Sequence, residues 1–171
     1  MTGFDVAAMG RYPYTGRMGI LSPEDRRITE ESLELLEARD LAEVPFEEMS
    51  DGQKQRILLA RAICQEPEVL VLDEPTSYLD IRYKIMLAKL LRKLAREKNM
   101  TVLLSLHEPE IVPYLADRVL CVKGDTIFRQ GKPEEILTRE GICELYGIPE
   151  KDYEESWLKF ISDTGCGNGV Y

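Results

Sequence analysis

Two segments, Met49-Ser-Asp-Gly-Gln-Lys-Gln-Arg56 and Val69-Leu-Val-Leu-Asp73-Glu74-Pro75, hold the residues whose types and spacing could do chemistry. Ser50 and Gly52 open an apolar-periodic helix, where free N–H groups and partial positive charge suit a terminal phosphate. Gly52 would let the backbone approach closely, and the Ser50 hydroxyl and Gln53 amide would add hydrogen bonds. Asp73 and Glu74 end a short apolar strand, and ligands bind at such carboxyl edges of open α/β sheets. An aspartate there can hold Mg2+, directly or through water, and a following glutamate can orient an attacking water. His107 ends a second apolar strand and leaves the sheet on the same edge as Asp73. An imidazole in that place could touch a γ-phosphate and fix the water-orienting carboxylate. The chemistry would be phosphoryl hydrolysis.

Each element alone also fits a plainer reading. Ser50 can simply cap a helix, Asp73-Glu74 can be a solvated acidic turn, and a lone histidine after a strand is often packed or solvated. Asp80, in Ser77-Tyr-Leu-Asp80, reads as the N-cap of the next helix, and that reading is compatible with a ligand role.

The elements that must position these residues follow from periodicity. Residues 1–65 read as helical. Thr29-Glu-Glu-Ser32 supplies a hydroxyl cap and early acids ahead of Leu33, Leu36 and Leu41, and Gly10-Arg-Tyr-Pro-Tyr-Thr-Gly16 reads as a turn-rich connector. The helix after Ser50 or Asp51 sets Ile57, Leu58, Leu59, Ala60, Ala62 and Ile63 against a core. Val69–Leu72, bounded by Pro67 and Pro75, reads as a strand buried on both faces. Residues 80–98 form an amphipathic basic helix, Asn99 marks a turn, and Thr101–Leu106 is a second buried strand. Asp117–Val122 and Thr126–Arg129 pair about Lys123-Gly124-Asp125. Beyond Pro133 come two short helices and the tail Gly165-Cys-Gly-Asn-Gly169. Strands alternating with helices imply parallel pairing and an α/β core.

Composition bounds the partners. At 171 residues, with 44% hydrophobic and 31% charged residues, the chain suits one globular domain or a subdomain plus part of another. Acids outnumber bases 31 to 22, a formal charge of −9, which argues against a nucleic-acid footprint. No apolar run approaches the ~18 residues of a membrane span, and no secretory signal pattern opens the chain. Cys64, Cys121, Cys143 and Cys166 are widely spaced and the chain has one histidine, which disfavours a zinc site or disulfide framework and suits a reducing cytosol. Cys64 and Cys121 lie in apolar stretches and read as core.

Ser-x-Gly-Gln, then Leu-Asp-Glu-Pro-Thr-Ser-x-Leu-Asp, then strand-His, occur here in an order that resembles the ATPase subunit of ATP-binding cassette (ABC) transporters, from about Met1 to Leu137. The resemblance implies an α/β fold, the C-terminal part of a P-loop NTPase core with parallel strands preceded by the helical subdomain. It divides the chain into a helical signature subdomain at 1–65, a partial nucleotide-hydrolase core at 66–137 and a short helical extension at 138–171. Met49–Gln53 would be the signature motif, with Ser50, Gly52 and Gln53 on the nucleotide. Val69–Asp73 would be the Walker B strand, Asp73 the metal residue, Glu74 the catalytic carboxylate, Ser77–Asp80 the D-loop and His107 the switch histidine. The implied cofactors are ATP and Mg2+. The implied partners are a second ABC ATPase subunit in a two-chain sandwich and transmembrane permease subunits, which would hold the chain on the cytoplasmic face of the cell membrane. Ala8-Met-Gly-Arg-Tyr-Pro-Tyr14, Asp117–Gly124 and Gly131–Ile136 further resemble importers of iron complexes, including siderophores, haem and cobalamin.

The chain departs from that pattern in two places. No Gly-x-x-x-x-Gly-Lys-[Ser/Thr] occurs in it, so the resemblance gives a domain whose first part is missing, inactive alone and with an apolar strand edge laid bare. Asp51 stands where the signature usually has its first glycine, and reads as a helix cap turned away from phosphate. Two further functions stay open: a non-hydrolysing module supplying Ser50–Gln53 in trans to an intact subunit, and an ABC ATPase not linked to transport.

Overall fold

The computed structural model describes residues 1–16 and 19–153. They fall into two compact units, one spanning Met1–His107 and a second from Glu108 onward. The first is a helical layer followed by a parallel β-α-β unit; with its helices and parallel pair the chain is α/β.

Three helices make the helical layer. Helix α1, Gly3–Ala8, is capped by Thr2, with Asp5 reaching back to the Thr2 N–H. It runs on into a 3-10 turn over Met9–Tyr14, where the sequence suggested an open connector. Gly10 explains the continuation: a Cβ there would lie 2.2 Å from the Arg61 carbonyl oxygen, so only glycine lets this turn lie against the next helix but one. Arg11 is buried beside it, donating to Asp25 Oδ1 at 2.9 Å, to the Cys64 carbonyl at 2.8 Å and to Glu66 Oε2 at 2.9 Å. Helix α2, Pro23–Leu35, begins earlier than Thr29. Its cap is Ser22, with Pro23 at the first helical position and Asp25 closing the capping box. Thr29 and Ser32 instead sit inside the helix, their hydroxyls donating to the carbonyls of Asp25 and Ile28. Helix α3, Asp51–Cys64, buries Ile57, Leu59, Ala60, Ile63 and Cys64 against Leu33 and Leu36 of the same core, while Leu58 is exposed. Leu58 follows Ile57 by 100°, which turns it off the buried stripe.

The β-α-β unit follows. Strand β1, Val69–Leu72, pairs in parallel with β2, Thr101–Leu104, in the register Val69↔Thr101 to Leu72↔Leu104. Helix α4, Ile81–Glu97, connects them, capped by Asp80 and burying Leu87, Leu90, Leu91 and Leu94. Asn99 turns the chain into β2 through a left-handed φ of 52°. The strands are not buried on both faces. Leu70 is buried, but Val69, Val71 and Leu103 are 57%, 66% and 54% exposed. Side chains alternate across a strand, so one covered face leaves every second valine bare. An apolar run reveals what a strand could bury, and tertiary neighbours decide what it does.

The second unit opens with a 3-10 turn over Pro109–Ile111, then α5, Val112–Leu115, and an antiparallel hairpin, β3 Val119–Lys123 and β4 Thr126–Gly131, with Gly124 at φ 63° in the turn. Helices α6 Pro133–Ile136, α7 Arg139–Tyr146 and α8 Glu150–Asp152 follow. Gly165–Gly169 and Cys166 lie outside the described residues. Cys64, Cys121 and Cys143 are buried free thiols, and burial pushes the Cys64 and Cys121 thiols up from their ordinary values.

Candidate functional site

Parallel register brings the acidic strand end and the histidine together. Because Leu72 pairs with Leu104, the next residues on each strand, Asp73 and Ser105, emerge side by side, and the Ser105 N–H donates to the Leu72 carbonyl at 3.0 Å. The Ser105 hydroxyl donates to Asp73 Oδ1 at 2.5 Å and accepts the Glu74 N–H at 2.9 Å. His107 Nε2 lies 2.7 Å from Glu74 Oε1. Ser77 Oγ donates to Glu74 Oε2 at 3.1 Å, and Gln55 Nε2 donates to the Glu74 carbonyl at 3.3 Å.

Glu74 is therefore gripped by four residues from three segments, and it needs to be. Its φ of 44° is left-handed, a conformation that costs an L-residue about 1–2 kcal/mol. Such strain persists where surrounding structure over-determines it, which is common at working sites. Here each backbone and carboxylate oxygen of Glu74, and its N–H, has a partner.

The start of α3 faces the same region. Asp51, Lys54 and Gln55 line a cleft of about 640 Å³ together with Asp73, Glu74 and Tyr78. Ser50 is the N-cap and Gln53 closes its capping box: Gln53 N–H donates to Ser50 Oγ at 3.4 Å and Ser50 N–H to Gln53 Oε1 at 2.9 Å. Asp51 is not the cap; it occupies the first helical turn, where its charge complements the helix dipole. Gly52 has a neighbour that the sequence did not disclose. A Cβ on it would lie 2.8 Å from the Tyr78 carbonyl, so the glycine lets the turn after Glu74 lie against α3. Asp80 Oδ1 accepts the Tyr83 N–H at 3.0 Å, which makes it the cap of α4.

Asp73, Glu74 and His107 are thus brought to one rim, Ser50, Gly52 and Gln53 form the helix start nearby in sequence to the cleft-lining Asp51 and Lys54, and Asp80 faces its own helix. Ser105, Ser77 and Gln55 are the polar partners that sequence reasoning missed. Ser105 carried one readable signal: the sequence places it near the end of an expected strand over Thr101–Leu106, two residues before His107, and alternate residues of an extended chain share a face.

The family model described as ABC transporter matches residues 6–77. An uncharacterised ABC transporter ATP-binding protein of Methanocaldococcus jannaschii is 47% identical over 155 residues, covering 91% of this chain and 53% of the relative. The chain belongs to the ABC transporter ATP-binding family. The iron(3+)-hydroxamate import ATP-binding protein of Bacillus subtilis is 32% identical, with 86% of this chain and 55% of that ABC protein covered. Among solved ABC structures, a transporter assigned to the metal-chelate type, in an inward-facing conformation, matches with TM-score 0.78 and 34% identity over 87% of this chain and 60% of that one. A dimeric ATP-binding cassette bound to ADP and Pi matches with TM-score 0.69 and 27% identity, covering 78% and 57%. This ABC chain spans about half the length of the curated relatives it matches.

Proposed function

We propose that the chain acts within an ATP-binding subunit that energises an ABC importer of iron complexes, and that Asp73, Glu74 and His107 form its hydrolytic rim. The observation that carries this reading is Glu74, held in a strained conformation against His107 at the carboxyl end of a parallel pair. Glu74 orients the attacking water, and His107 fixes Glu74 Oε1 and faces the terminal phosphate. Asp73 offers a hard oxygen donor, with Ser105 engaging only Oδ1. Among the described residues no cluster of three or more His, Cys, Asp or Glu could hold a metal. One carboxylate is what Mg2+ uses when phosphate and water supply its remaining ligands. Bound there, Mg2+ would neutralise charge developing on the phosphates.

Ser50, Gly52 and Gln53 contribute the second half. Phosphate recognition would come from the N–H groups of the first turn of α3, with the Ser50–Gln53 capping box holding that turn in shape. In a two-chain sandwich this helix start closes over nucleotide held by the partner subunit, and Asp80 lies on the segment between the rim and α4. Siderophore-type cargo is supported by the iron-hydroxamate relative, by an achromobactin transport ATP-binding protein of Dickeya dadantii at 36% identity, and by the metal-chelate structure. Among the described residues no helix is long and apolar enough to cross a membrane, so membrane association on the cytoplasmic face would come through permease subunits.

A polypeptide of these residues would not hydrolyse ATP by itself. A charge-assisted hydrogen bond contributes about 1.5–3 kcal/mol, and a glycine loop with its lysine makes several. Losing about five exceeds the ~8 kcal/mol of a micromolar complex. The intact capping box on α3 favours a second reading, in which the chain supplies its helix start in trans to a complete subunit without itself hydrolysing. Mixing the purified chain with a complete family subunit and following association by sedimentation tests both. We expect no turnover from the chain alone and MgATP-dependent association in the mixture. Glu74-dependent turnover by the chain alone would refute its inactivity, and nucleotide-independent mixing would remove both readings.

A further inference from the structure

We infer that Ser105 is a positioning residue that sets Asp73 and Glu74 at one fixed relative geometry. The inference rests on the proposed assignment of those two carboxylates, and it concerns a residue outside the motifs. A serine hydroxyl has one proton to give and lone pairs to receive. Ser105 gives its proton to Asp73 Oδ1 at 2.5 Å and receives the Glu74 N–H at 2.9 Å. One oxygen atom therefore bridges the side chain of the first acid and the backbone of the second.

Two consequences follow from chemistry. The donated proton holds Oδ1 in place and stops the Asp73 carboxylate from rotating, so the edge it offers a cation is set. The accepted N–H pins the residue with left-handed φ, which aims the Glu74 side chain at His107 and Ser77. Without that acceptor, Glu74 would leave a strained conformation, and with it the His107 contact. Ser105 is itself placed by β2, through its own N–H to the Leu72 carbonyl, so the device is fixed to the rigid pair of strands.

His107 is the chain's only histidine, so its ring gives a single, assignable signal in NMR spectra. The experiment compares the full chain as wild type, Ser105→Ala and Ser105→Thr, with Glu74→Ala marking a lost pair. In wild type and Ser105→Thr we expect a ring Nε2 signal of a carboxylate-bound imidazole, and in Ser105→Ala the signal of Glu74→Ala. Hydrogen exchange at the Glu74 amide should quicken about tenfold in Ser105→Ala and return in Ser105→Thr, the scale of one lost hydrogen bond. A merely structural serine would lower Tm and leave the His107 signal where it was; that result overturns the inference, as does loss of the signal in Ser105→Thr. An unprotected Glu74 amide in the wild-type chain overturns it without any variant. Failure of the ATPase reading looks different, since nucleotide-dependent association would be absent while the His107 signature stayed intact.

Discussion

At the scale of single residues, buried charge and missing side chains govern the outcome. Arg11 and Asp25 are each 5% exposed and lie 2.9 Å apart within the helical core. The Asp25 carboxyl is held below its usual range by the Ser22 hydroxyl first, then the Ser22 N–H, then Arg11. A carboxyl with a lowered folded value contributes stability that is present above its unfolded value of about 3.9 and is lost as pH falls through the folded one. Acid unfolding followed by circular dichroism should therefore show stability draining below about pH 4, and Asp25→Asn should flatten that dependence while lowering stability at pH 7. Gly52→Ala tests the close approach to Tyr78: with a Cβ 2.8 Å from that carbonyl, the turn must shift, at a cost of about 1–3 kcal/mol read from urea unfolding. The same substitution at Gly10 meets the Arg61 backbone at 2.2 Å and should be more damaging.

At the scale of elements, caps and registers decide where helices begin and which strand ends meet. Asp80 holds the first turn of α4, whose buried leucines belong to the same unit as the rim. Asp80→Ala should cost about 0.5–2 kcal/mol in chemical denaturation, and Asp80→Asn almost nothing, because asparagine caps as well as aspartate. The pair separates capping from any ligand role: if Asp80→Asn folds normally yet weakens association with a complete subunit, the carboxylate has work beyond α4. Sequence reading found α3, α4, both parallel strands and the hairpin within a few residues. It misplaced the start of α2, because Thr29 and Ser32 imitate caps when their hydroxyls are in fact satisfied by carbonyls one turn back. Ser22-Pro-Glu-Asp25 carried the correct signal.

At the scale of the molecule, the described sheet of β1 and β2 is narrow and half bare. Each strand hydrogen-bonds only to the other among the described residues, and Val69, Val71 and Leu103 present a continuous apolar face. Bare apolar strands invite pairing with other chains. The purified chain should self-associate with rising concentration, and Val71→Lys, at a 66% exposed position, should reduce that association in light scattering with little effect on Tm. A monodisperse wild-type chain at high concentration would count against the expectation.

The sequence by itself determined the family, the α/β class and the order of the chemistry-bearing motifs, because these depend on residue types at short spacing. It also implied that Asp73 and His107 share a rim, since parallel strands end on the same side. Tertiary structure alone decided which polar atoms meet there: Ser105 and His107 reach Glu74 from 31 and 33 residues away, and Gln55 from 19. It likewise decided that Gly52 accommodates the Tyr78 carbonyl and that one face of each strand stays uncovered. Local patterns encode periodicity and caps, whereas a pairing between distant atoms exists only once strand register and helix packing have fixed their separation.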